Sequence, residues 1–141
     1  MATIRAVLNR VKTLDPILEA KRSLIDTKDV LLDLNVEQLH KGQKSDGRFM
    51  PDYSPISVEV YGKPPGPIKL YDTGAFYRGF MLDINGSILT ITSSDDKTDM
   101  LFKRYATKKH NIFGLNPLFA REYLPVLQKR FFFRVRNKTG L

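Results

Sequence analysis

The sequence predicts an α+β fold, with N-terminal and C-terminal helices packed on a small antiparallel β-sheet and an extended Pro/Gly-rich arm between them. Three observations carry this expectation. Apolar residues recur at helical spacing at both ends of the chain, and period-two alternation flanks an Asn-Gly dipeptide in the middle. Between these regions five prolines (Pro51, Pro55, Pro64, Pro65, Pro67) interrupt any long helix or strand. A length of 141 residues supports one core and not two. The expected layout is therefore a single domain: residues 1–42 helical, 43–73 an extended arm with loops, 74–94 a short helical turn and a β-hairpin, and 95–141 helical and basic.

The elements follow in order. Ile4, Val7, Leu8, Val11 and Leu14 keep helical spacing and predict a buried stripe. Asp15-Pro16 then restarts the helix, with Asp as N-cap and Pro at the first helical position. From about Thr27 a further helix places Val30, Leu31, Leu34, Gln38 and Leu39 on one stripe, and Gly42 closes it. A short strand is expected at Ser57 to Tyr61, and Pro64-Pro65 favours a polyproline-like arm that wraps a neighbouring subunit. Phe80, Leu82 and Ile84 alternate into Asn85-Gly86, the dipeptide of a type I′ turn. Met81, Leu89 and Ile91 are expected to make the second face of the ribbon partly apolar. Asp95 or Asp96 caps a short helix through Met100, Leu101 and Tyr105. After the loop from Lys108, Asn116-Pro117 opens the last helix. Leu124, Leu127, Phe131 and Val135 form its expected core stripe, and Pro125 is expected to kink it.

Composition narrows the function classes. With no cysteine and only His40 and His110, the chain offers no thiolate metal site, and no metal or cofactor is expected. No apolar run reaches the roughly 18 residues of a membrane span. The N-terminal residues lack a signal-peptide core, so the cytosol, or something assembled there, is the expected compartment and no membrane partner is expected. Net charge is +8, and it is concentrated: from Lys103 onward ten basic residues face one acid, Glu122. Such asymmetry points to a polyanionic partner or an acidic protein surface, with Lys129, Arg130, Arg134 and Arg136 as candidate contacts.

Asp72-Thr73-Gly74-Ala75 matches the loop of aspartic proteases, in which paired carboxylates share a proton. Such a fold is all-β, whereas both ends here read as helix. The preceding "YGKPPGPIKLY" is too proline-rich for a supporting strand, and only 40 positions separate Asp72 from Ile112. The expected role of Asp72, Thr73 and Gly74 is a structural turn. Asp72 caps one helical turn, Leu70 staples onto Phe76, and Phe76 meets Phe80. No catalytic residue is assigned.

The ordered set "NVEQLHKGQKSDGRFMPDYSP", "KLYDTGAFYRGFMLDI", an Asn-Gly hairpin and "NIFGLNP" resembles the tail-completion, neck or minor tail-component proteins of tailed bacteriophages and prophages, particularly those of Bacteroidetes hosts. The likeness spans roughly Asn35 to Phe133. It implies a non-enzymatic virion component of the neck or tail that forms a homo-oligomeric ring near the head-tail joint. Its partners would be copies of itself, other neck, portal or tail proteins, and DNA passing through the ring. Tyr53, Pro64, Pro65, Phe76, Met81, Leu89 and Ile91 are the expected interface residues. A nucleic-acid-binding module is the alternative, because Phe131, Phe132 and Phe133 lie between Arg130 and Arg134.

Overall fold

Several helices start where a Ser, Thr, Asp or Asn side chain caps the first turn. Thr3 opens α1 (Ile4–Lys12), its hydroxyl accepting from Ala6 N at 3.2 Å. Asp15 opens α2 (Pro16–Asp26), its carboxylate accepting from Ile17 N and Leu18 N at 3.1 Å each. α3 (Lys28–His40) follows after Thr27 and closes at Gly42, whose φ of 72° is left-handed. A Cβ at position 42 would lie 2.4 Å from Pro67 Cβ, so glycine also admits the returning arm. The computed structural model describes residues 3–105 and 112–141. Of the loop expected from Lys108 to Leu115, residues 108–111 lie outside them.

The arm is not extended. Gln43 bridges Phe49 and Asp52 bridges Pro67, both antiparallel. Tyr53 N donates to Gly66 O and Ile68 N to Pro51 O, each at 2.9 Å, closing the segment at its base. Met50 is buried, and Ile68 and Leu70 pack against the cluster of Leu39, Met50, Phe76, Tyr77 and Ile112. The arm therefore contributes to the core of its own chain.

Inside the closed arm, α4 (Pro55–Glu59) replaces the strand expected from Ser57. Ser54 accepts from Ser57 N at 3.2 Å and Pro55 occupies the first helical position, the same rule that opens α2.

Gly74 leads into α5 (Ala75–Arg78), followed by β1 (Phe80–Asn85) and β2 (Ile88–Ser93) as an antiparallel pair. Asn85 pairs with Ile88, leaving Gly86-Ser87 as the two-residue loop. Gly86 has φ 60° and Ser87 is not at positive φ, the pattern of a type II′ turn instead of the expected type I′. The register pairs Leu82 with Ile91 and Ile84 with Leu89. Leu89 and Ile91 thus share the face of Phe80, Leu82 and Ile84. The opposite face carries Met81, Asp83, Asn85, Ile88, Thr90 and Thr92, so it is partly apolar as expected, but through Met81 and Ile88 and not through Leu89 and Ile91.

α6 (Thr98–Tyr105) begins with Thr98 N donating to the main-chain oxygen of Asp95 at 3.0 Å. α7 (Pro117–Thr139) is capped by Asn116, which accepts from Phe119 N at 3.1 Å, and it continues through Pro125 without a break. Pro125 is exposed, where solvent can satisfy the Arg121 carbonyl that lacks an amide partner.

The fold is α+β, with helices at both ends. α7 packs across α1, α2 and α3, while β1 lies on α3. Phe119, Tyr123 and Thr139 are the buried residues of α7, spaced in multiples of four. Leu127, Phe131 and Val135 are half-buried and Leu124 is exposed, so the expected stripe is displaced by one position at its start.

Candidate functional site

Gly74, not Asp72, is the residue that enters α5. Its φ is 84° and no side chain caps the helix. Thr73 Oγ1 accepts from Ala75 N at 3.3 Å, and Arg78 Nη1 donates to Thr73 O at 3.0 Å. A Cβ at position 74 would meet Arg78 Nη1 at 2.7 Å and the Tyr71 ring at 3.2 Å, so the turn requires glycine.

Asp72 has its side chain 70% exposed, with Lys63 Nζ at 3.8 Å and Lys97 Nζ at 3.6 Å. It links the arm to the loop before α6 and lies between two ammonium groups instead of against a second carboxylate. Leu70 and Phe76 pack in one cluster, and the Phe76 and Phe80 rings meet edge to face at 5.2 Å, both as expected. Beside the turn, Tyr53, Tyr61, Lys63, Asp72, Arg104 and Tyr105 are among the residues lining an open cleft of about 580 Å³.

The seven expected interface residues separate. Phe76 is only 4% exposed and belongs to the core, so it is not available to a partner. Tyr53 is half-buried, its hydroxyl accepting from Lys69 N at 3.2 Å. Ile91 is half-buried, whereas Pro64, Pro65, Met81 and Leu89 are exposed.

Two of the four expected polyanion contacts are already neutralised. Glu19 is buried on α2, receiving Arg134 Nε at 2.9 Å, with Lys138 Nζ at 3.2 Å and Arg22 Nη1 at 3.7 Å. Asp26 takes Arg130 Nε and Arg134 Nη1 at 2.8 Å each. Burial pushes the Glu19 carboxyl up, but the hydrogen bonds from Arg134 and Lys138 outweigh it and hold it below the usual range. Hydrogen bonds from Arg130 and then Arg134 lower Asp26 against its own burial. Arg130 and Arg134 therefore clamp α7 to α2, whereas Lys129 and Arg136 point outward and form no ion pair among the described residues.

A second set of bonds positions the loop before α7. Asn35 Nδ2 donates to Ile112 O at 3.2 Å, and its Oδ1 accepts from Gly114 N at 2.8 Å. Gln38 Nε2 donates to Gly114 O at 2.9 Å, and its Oε1 accepts from Asn116 N at 2.7 Å. Both amides are fully buried.

Large apolar residues are exposed on several elements. Ile4 is 82% exposed, and Leu8 and Val11 continue the same stripe of α1, which buries no residue at all. Of the stripe expected to be core, Val7 and Leu14 are half-buried, whereas Ile4, Leu8 and Val11 face outward. Ile17 and Ile25 of α2 are exposed, as are Ile56, Val60 and Tyr61 at the tip of the closed arm and Ile88 on the hairpin.

Accessible area totals 9685 Å². A compact monomer of 16.2 kDa is expected to expose roughly 7,500 Å², so the excess is roughly 2,200 Å².

Among the described residues no helix is long and apolar enough to cross a membrane. Compared with known proteins, the chain matches no family model, no curated protein and no solved structure.

Proposed function

We propose that this chain is a structural protein of a tailed-bacteriophage virion, a ring subunit at the head-tail joint that acts through protein-protein interfaces and performs no catalysis. The observation that carries the reading is the surplus of exposed surface together with its chemistry. In a closed ring each subunit has two neighbours, and an ordinary interface covers about 800 Å² per partner. Two such contacts would cover about 1,600 Å² of each subunit, which the excess area accommodates.

The apolar residues are distributed as a ring subunit needs them. Ile4, Leu8 and Val11 stand on α1, while Ile56, Val60 and Tyr61 stand on the arm tip, a separate part of the chain. Scattered single apolar residues carry no such meaning, but three large apolar residues left exposed at helical spacing along one helix do. The motif order from Asn35 to Phe133 supports the same reading by resemblance.

Sedimentation velocity on the purified chain tests it. The expected result is a discrete oligomer that dissociates in Leu8→Glu, with far-UV circular dichroism unchanged because Leu8 is exposed. A monomer at every concentration that also fails to bind a hydrophobic dye would contradict the proposal.

A further inference from the structure

The outward face of α7 has chemistry that the assembly reading does not use. Pro125, Gln128, Lys129, Phe132, Phe133 and Arg136 recur at helical spacing and line a shallow depression of about 460 Å³. Phe132 and Phe133 are each half or more exposed, 56% and 50%. Lys129 lies three residues before Phe132 and Arg136 three residues after Phe133, so the backbone positions of each cation and its neighbouring ring are about 4.5 Å apart along the axis.

The inner face of the same helix has its cations neutralised. Arg130 and Arg134 are paired with Asp26 and Glu19, and Lys138 with Glu19. No acidic residue occurs from Pro125 to Thr139. What remains on the outer face is two unpaired cations around two exposed aromatic rings. Arg130 also lies over one face of the Phe133 ring, 4.9 Å from its centroid, so a base would stack on the other face.

We propose that this face binds single-stranded nucleic acid. Phe132 and Phe133 offer a platform for unstacked bases, and Lys129 and Arg136 hold the phosphates on either side. The choice of ligand follows from the residue pairing. A protein interface core excludes charge, particularly lysine, and would not place unpaired cations a turn either side of its aromatics. Duplex nucleic acid hides its base faces in the stack, so it could use the cations but not the rings. A flexible polyanion with accessible π faces uses both.

The experiment is fluorescence anisotropy with a labelled oligothymidylate and, separately, a duplex of equal length, both at low salt. Tighter binding of the single strand is expected, with a salt slope of about −1.4 for two phosphate contacts. Lys129→Gln and Arg136→Gln should each lower that slope by about 0.7. Phe132→Ala should weaken single-strand binding by roughly tenfold and leave duplex binding unchanged. All three positions are exposed, so retained helical circular dichroism will verify the fold.

Absence of oligothymidylate binding would overturn the proposal. So would equal binding of single strand and duplex with no response to Phe132→Ala, which is the signature of diffuse electrostatics. Loss of self-association in these variants without any oligonucleotide binding would assign the face to a subunit contact, and would overturn it equally.

Discussion

Replacing Asn35 by alanine should be among the most damaging single changes in the chain. The side chain is fully buried and contributes one donor and one acceptor to the loop that leads into α7. Alanine leaves Ile112 O and Gly114 N without those partners, and Ile112 is itself fully buried. A buried polar group left unsatisfied costs about 1–3 kcal/mol, so two of them predict a loss of about 3 kcal/mol or more. For a chain of this length that corresponds to a fall in Tm of about 10 °C.

Gln38→Ala removes the neighbouring pair of bonds, to Gly114 O and Asn116 N. Because both amides hold Gly114, the two losses should be non-additive by about 1 kcal/mol in a double-mutant cycle. The assay is urea unfolding followed by far-UV circular dichroism at one fixed protein concentration, since self-association would otherwise shift the midpoint. A loss under about 0.5 kcal/mol for Asn35→Ala, the range of an ordinary surface substitution, would refute the reasoning.

Asp72→Ala should change stability by less than about 1 kcal/mol, because its ion pairs are exposed and it caps nothing; a larger loss in thermal unfolding would restore the capping role. Gly74→Ala should destabilise by about 1–2 kcal/mol, since φ of 84° is left-handed and the new Cβ crowds Arg78 and Tyr71; an unchanged urea midpoint would count against that geometry. Glu19 and Asp26 both have folded-state pKa values held below their ordinary values of 4.5 and 3.8. Their stabilisation is therefore present above those values and lost as pH falls through the lowered ones. Tm should drop on acidification below about pH 4.5, and Glu19→Gln should flatten the drop. An acid limb identical to that of wild type would show that the clamp does not carry this dependence.

The sequence was most legible where one residue has one local job. Asp15-Pro16 and Asn116-Pro117 start helices because a side-chain acceptor and a preset φ act within one turn. Gly42 stops one because left-handed backbone favours glycine. Ser54-Pro55 carried the same signal, but β-branched residues nearby suggested a strand, and the helix start prevailed.

Long-range pairing was harder to read. Helical periodicity marks an apolar face without saying how much of it anything covers, so the α1 stripe looked like core and yet leaves Ile4, Leu8 and Val11 exposed. Arg130 and Arg134 looked like polyanion contacts because their acids lie on α2, more than a hundred residues away. Asn35 was invisible for the same reason: a polar residue enters a core only when distant backbone supplies its partners. The hairpin was correctly placed and its turn lies one residue later than expected. That moves the register by two and leaves Leu89 and Ile91 across from Phe80, Leu82 and Ile84 in either case, so the turn dipeptide already excluded placing them on the second face.

The central claim is assembly into a closed ring through apolar surfaces that a monomer leaves bare. Electron microscopy of the purified oligomer, classified by rotational symmetry without symmetry imposed, tests it most directly. The account predicts closed rings of one cyclic symmetry, with Leu8 and the arm tip around Tyr61 at the subunit contacts. Open or polydisperse aggregates, or particles the size of a single chain, would contradict it.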